Sequence, residues 1–136
     1  MGIRVLVAVD EALVRHDIRS ALRPQADIEV LGNAATCQEA LTKAVALRPD
    51  VVLVDATLAG RDGTVTARSV KACCPETHIL MLVRHAERAL PEVGVDGYVF
   101  KDISPATLVN AIRTVHRASM AGLAWRARGR GTECLA

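Results

Sequence analysis

The chain has 136 residues, of which 51% are hydrophobic and 24% charged. That is one domain's worth of globular composition, long enough to bury a core without disulfide or metal staples, and it excludes both a disordered tail protein and a membrane-spanning one, since no apolar run approaches the ~18 residues a bilayer requires. The net charge of +2 resides in Arg126, Arg128, Arg130 and Glu133, so residues 1–120 carry 14 bases and 14 acids and lack the electrostatic footprint of a nucleic-acid binder.

In chain order, apolar runs of strand length alternate with segments of helical period. IRVLVAV (3–9) is short and rich in β-branched residues, as expected of a strand buried on both faces. Residues 11–23 predict a helix with Leu13, Val14, Ile18, Ala21 and Leu22 on one face, ended by Pro24. DIEVLG (27–32) alternates and suits an edge strand. TCQE (36–39) has the capping-box pattern, in which Thr36 accepts from the amide three residues on and Glu39 reaches back. The helix it opens carries Ala40, Leu41, Ala44, Val45 and Leu47, and Pro49 closes it.

VVLVD (51–55) is the most apolar run and ends on an aspartate. GRDGT (60–64) is a loop, and a helix follows over about 64–73. HILMLV (78–83) is a third buried strand-like run. Residues 84–94 contain Pro91 and hold at most two turns of helix, and VDGYVF (95–100) is the fifth strand. SPATLVNAIRTVHRASM (104–120) is the clearest helix. Ser104 is its N-cap, Pro105 takes the first helical position, and Leu108, Ile112, Val115 and Ser119 line one face.

Five strands joined by helical crossovers run parallel and need helices on both faces of the sheet. The expected fold is therefore α/β, a doubly wound five-stranded parallel sheet of (βα)5 type, with ligands beyond the carboxyl ends of the strands. Those ends carry Val9–Asp10, Asp55, Val83 and Lys101. Two carboxylates and an ammonium at one edge suit a hard divalent cation such as Mg²⁺, with one aspartate acting as a nucleophile toward a phosphoryl group and Lys101 neutralising its oxygens. Each residue also has a plainer reading. Asp10 serves as the N-cap of the first helix, Asp55 caps a loop, and Lys101 is a solvated charge. Three such residues at one sheet edge favour a site.

IRVLVAVDEALVR, VVLVDATLAGRDG, HILMLV, DGYVFKD and SPATLVNAIRTV resemble the receiver domains of bacterial two-component response regulators, and their texture is similar to the NarL type. The resemblance covers about 1–120. It implies a flavodoxin-like sheet of strand order 2-1-3-4-5 and a phosphoryl group received from a sensor histidine kinase. Asp55 matches the phosphoacceptor and Lys101 the lysine that pairs with the phosphoryl group. Asp10 matches the metal-binding member of the acidic pair, and the main chain of Thr57 matches the metal's carbonyl ligand. Tyr98 matches the aromatic switch position.

Four departures from the family set this chain apart. Val9 stands where the first acid of the pair is expected, which weakens Mg²⁺ binding. Val83 replaces a Ser/Thr whose hydroxyl bonds a phosphoryl oxygen, a contact worth roughly 1.5–3 kcal/mol. Ala59 replaces the usual loop proline. The segment from Val83 to Lys101 is shorter by about one helical turn, which marks a shortened fourth helix. The expected function is a signal receiver that accepts a phosphoryl group on Asp55 and regulates a DNA-binding output domain in transcription control. The alternative is a degenerate pseudo-receiver that dimerises or binds a small ligand without phosphorylation. An enzyme is not expected, because a phosphatase of this kind needs a second acid two residues after its nucleophile, where Thr57 stands.

Residues 121–136 change composition and are expected to form a basic linker or tail, with the output domain absent from this chain. DNA contact is then expected only through that missing domain, and homodimerisation through the first or last helix. The opening MGIRVLVAVDE has no basic n-region, so no signal peptide and a cytoplasmic location are expected. Cys37, Cys73, Cys74 and Cys134 form no CxxC and are expected to be free thiols. Three aromatic residues, Tyr98, Phe100 and Trp125, are too few for a base-stacking platform.

Overall fold

The computed structural model describes residues 2–58, 63–84 and 95–121, with side chains to 117 in the last helix. Five strands, β1 (Ile3–Ala8), β2 (Ile28–Ala34), β3 (Val51–Asp55), β4 (His78–Val83) and β5 (Gly97–Phe100), form one sheet. All pairings are parallel and the order is β2-β1-β3-β4-β5. The described helices are α1 (Ala12–Leu22), α2 (Cys37–Leu47), α3 (Gly63–Cys73) and α4 (Pro105–Ala121). The shortened helix expected within 84–94, Ala59, and the tail after 121 lie outside the described residues.

Period-2 alternation divides the sheet into two cores. Val5, Val7, Leu53, Leu80, Leu82 and Val99 face Ile18 and Leu22 of α1 and Leu108, Val109 and Ile112 of α4. Leu6, Ala8, Val52, Val54, Ile79 and Met81 face Ala40 and Ala44 of α2 and Ala67 and Val70 of α3. The three inner strands are buried on both faces, which is why their sequences are unbroken apolar runs. β2 is an edge strand, as its alternation predicts. It runs on to Ala34, and a bulge at Leu31 shifts its register against β1.

Leu13 corrects the helical-face reading. It is 78% exposed, while Ile18, Ala21 and Leu22 are buried and Val14 packs against them. At 3.6 residues per turn, positions 14, 18, 21 and 22 form one narrow stripe and position 13 falls well outside it. Val45 of α2 is likewise exposed. Leu108, Val109 and Ile112 of α4 are buried, and Val115 packs partly buried against the same core. That helix is also clamped by Arg113, whose guanidinium donates to both Asp27 oxygens at 2.9 Å and to Gln25.

The caps follow the sequence closely. Thr36 accepts from the Glu39 amide at 3.1 Å, and Glu39 reaches back to the Ala35 amide, one residue before the cap. Ser104 accepts from the Thr107 amide. α2 ends on Arg48 in the left-handed region (φ 51°), because Pro49 bars it from the right-handed helical one. Cys37, Cys73 and Cys74 are free thiols.

Two positions hold the sheet ends in place. Gly63 opens α3 with its amide bonded to the Ala56 carbonyl, and a Cβ there would lie 2.3 Å from the Asp55 carbonyl oxygen. At the opposite edge, Asp96 accepts from the Ile79 amide and from Lys71, and lies 3.5 Å from His78 Nδ1. Burial opposes charging Asp96, but His78, Lys71 and the Ile79 amide outweigh it and hold the carboxyl well below its ordinary range.

Gly63→Ala is expected to cost about 2 kcal/mol or more in urea unfolding, because backbone must move to admit the methyl group. Asp96→Asn is expected to lower stability by about 2 kcal/mol at pH 7. A depressed folded-state pKa stabilises above the unfolded value and is lost as pH falls. The gap between wild type and Asp96→Asn should therefore narrow below about pH 4 in unfolding curves taken across pH.

Candidate functional site

The carboxyl ends of β1, β3, β4 and β5 converge on a charged edge. Asp55, the last residue of β3, has no accessible surface. Its Oδ1 accepts from the Thr57 amide at 2.9 Å and the Thr57 hydroxyl at 3.0 Å, which forms a tight side-chain-closed turn. Lys101, directly after β5, brings its Nζ to 2.8 Å from the same oxygen. Among the described residues, Asp55 Oδ2 has no hydrogen-bond partner. One oxygen of this carboxylate is therefore held three ways and the other is free.

The loop-cap reading of Asp55 describes Oδ1, which closes the turn at Thr57. Lys101 is not a solvated charge, because its side chain is 10% exposed and ion-paired. Asp10 is not the N-cap of α1. That position belongs to Glu11, in extended conformation and with no side-chain cap bond, and Asp10 lies one residue earlier with an exposed side chain.

Val9 is fully buried against the α1/α4 side of the sheet, and Val83 is buried in the α2/α3-side core. Neither offers a polar group to the edge. Tyr98 is half-buried against the same α2/α3-side core as Val83.

The profile of the response regulator receiver domain family matches residues 5–113. The chain belongs to this family. The receiver is 38% identical over 122 residues to the response regulator protein VraR of Staphylococcus aureus, covering 86% of this chain and 58% of that protein. It thus spans little more than half the length of the curated relatives it matches. Its fold superimposes on a LuxR-family two-component response regulator from Aurantimonas sp. SI85-9A1 with a TM-score of 0.79 at 29% identity, over 87% of each chain. The signal receiver domain of the Mycobacterium tuberculosis response regulator designated NarL matches with a TM-score of 0.73 at 27% identity, over 85% of this chain and 97% of that one.

Two charged residues of the receiver's edge escaped the sequence reading. Glu11 Oε1 stands 3.7 Å from Lys101 Nζ and 3.7 Å from Arg84 Nη2. The signal was present in the sequence, since Glu11 follows the end of β1 by three residues and Arg84 follows β4 directly. No helix among the described residues is long and apolar enough to cross a membrane.

Lys101→Ala leaves the buried Asp55 carboxylate without its cation, and a loss of about 3 kcal/mol is expected in urea unfolding. Asp10→Ala, at an exposed position, is expected to change stability by less than about 0.5 kcal/mol in the same measurement.

Proposed function

We propose that this receiver accepts a phosphoryl group on Asp55 and that its phosphorylation state governs a transcriptional output domain. The observation that carries this reading is the division of labour within the Asp55 carboxylate. Oδ1 is fixed by Thr57 and Lys101, while Oδ2 is buried and, among the described residues, without a hydrogen-bond partner. A buried acceptor oxygen without a partner is costly, and one that points at a reactive edge suits a nucleophile.

In the proposed step, Oδ2 attacks the phosphorus of a phosphorylated donor. The new oxygen–phosphorus bond forms as the donor's bond to phosphorus breaks, and the electron pair of that bond leaves with the donor group. Lys101 stays on Oδ1 and offsets the charge gathering on the phosphoryl oxygens.

We assign Asp10, Asp55 and the main-chain carbonyl of Thr57 to Mg²⁺. The donor set is all oxygen and small in number, which fits a hard cation that keeps several waters. Mg²⁺, when bound, supplies positive charge to the phosphoryl oxygens. Val9 contributes no carboxylate, so weak metal affinity is part of this reading. Val83 contributes no hydroxyl, so coupling from Asp55 to Tyr98 is weak as well.

The donor in this reading is a sensor histidine kinase, and the location is cytoplasmic. Residues 1–120 are the receiver and 121–136 a basic linker toward a DNA-binding domain, a division supported by the greater length of the VraR relatives. Homodimerisation through the first or last helix belongs to the same reading.

Incubation with acetyl phosphate and Mg²⁺, followed by rapid intact-mass measurement, tests the central claim. One phosphoryl group is expected on the wild type and none on Asp55→Asn. An unmodified wild type would overturn the phosphorylation reading and leave a pseudo-receiver.

A further inference from the structure

Phosphorylation turns the Asp55 carboxylate into an acyl phosphate dianion, one more net negative charge and three acceptor oxygens at an edge whose strand-end side chains are poor in donors. The Val9 and Val83 side chains have no polar atoms, and Lys101 is engaged with Asp55 Oδ1. Among the described residues, Arg15 is spent on the Val9 carbonyl at 3.2 Å, and Arg84 is a further cation at this edge. It follows β4 directly, two residues beyond Leu82, the register partner of Asp55. In a parallel sheet that lies about 7 Å farther along a neighbouring strand, within reach of an arginine side chain.

Alternation puts Arg84 on the correct face. Leu80 and Leu82 face α1 and α4, as does Leu53, so Arg84 and Asp55 continue on that same side. Lys101 follows in the same phase from Val99. Val83, one residue out of phase, packs into the opposite core. The guanidinium observed on this face is held by Glu11, whose Oε1 is 3.7 Å from Arg84 Nη2 and 3.7 Å from Lys101 Nζ.

That contact is easily surrendered. The Arg84 and Glu11 side chains are 60% and 49% exposed, and an ion pair of such exposure at 3.7 Å is screened by water. A guanidinium binds a phosphoryl dianion through shorter, charge-assisted and often paired hydrogen bonds. We propose that Arg84 is a phosphoryl-oxygen ligand of this site and that Glu11 is its resting partner, an internal anion that gives way when Asp55 becomes phosphorylated. The proposal rests on the reading that Asp55 is the phosphoacceptor. It makes Glu11 an antagonist of phosphorylation and Arg84 a promoter of it, although both sit at the same edge and touch each other.

The test measures the rate of phosphorylation by acetyl phosphate with Mg²⁺, followed by intact mass, together with binding of beryllofluoride, a non-transferring phosphoryl analogue, by fluorine NMR. Acetyl phosphate has no docking surface, so changes in kinase recognition do not enter. Arg84→Ala is expected to slow phosphorylation about tenfold and to weaken beryllofluoride binding similarly, the size of one charge-assisted hydrogen bond. Arg84→Lys should fall between wild type and Arg84→Ala, because it keeps the charge but not the paired donors. Glu11→Gln should change both quantities in the opposite direction, by about threefold, a sign reversal that general loss of structure does not produce.

Rates for Arg84→Ala and Glu11→Gln within twofold of a wild type that does become phosphorylated would overturn the proposal and leave Asp55 as the acceptor. A wild type that neither takes the phosphoryl group nor binds beryllofluoride would overturn both readings at once.

Discussion

The buried carboxylate of Asp55 governs the arrangement of the whole carboxyl edge of the sheet. A carboxylate without accessible surface is tolerated only when cations and donors meet it. Here the cation comes from the end of β5, across β4, and the donors come from the turn that the aspartate itself closes. The turn in turn needs Gly63, because the start of α3 passes too close to the Asp55 carbonyl for any side chain. Strand order, turn geometry and one glycine therefore all serve a single charged group.

The opposite edge of the sheet shows what the same residue type does when it is structural. Asp27, Asp50 and Asp96 precede β2, β3 and β5. Asp27 is clamped by Arg113, Asp50 accepts the Arg4 amide, and Asp96 accepts the Ile79 amide and Lys71. These carboxylates tie helix ends and loops to the strands. Asp55 differs in an oxygen that has no hydrogen-bond partner among the described residues, at the edge where a parallel sheet presents its ligands. The contrast between satisfied aspartates at one end and a half-satisfied one at the other gives the molecule a functional polarity.

Much of this was legible before any coordinates. Apolar runs alternating with helical periods determine a parallel doubly wound sheet, because each parallel pair needs a crossover and each face needs a cover. The caps at Thr36 and Ser104 were legible because they are local, requiring only a side chain and an amide three residues away. Leu13 was misplaced because a helical stripe is narrow, and an apolar residue adjacent to it in sequence lies about a quarter-turn away in space. The capping role considered for Asp10 passed to Glu11 for a similar reason, since a shift of one residue along the chain changes which backbone groups a side chain can reach.

By itself, the sequence determined the fold class, the family resemblance and the residues at each strand end, since these depend on period, composition and order along the chain. Only the tertiary structure decided how charges distant in sequence were shared. It assigned Lys101 to one oxygen of Asp55, left the other without a hydrogen-bond partner among the described residues, and set Glu11 between Lys101 and Arg84. The reason is physical. Pattern along a chain specifies which face a residue occupies, but an ion pair depends on distances of a few ångströms between side chains from different strands, and those distances exist only once the sheet has closed its register.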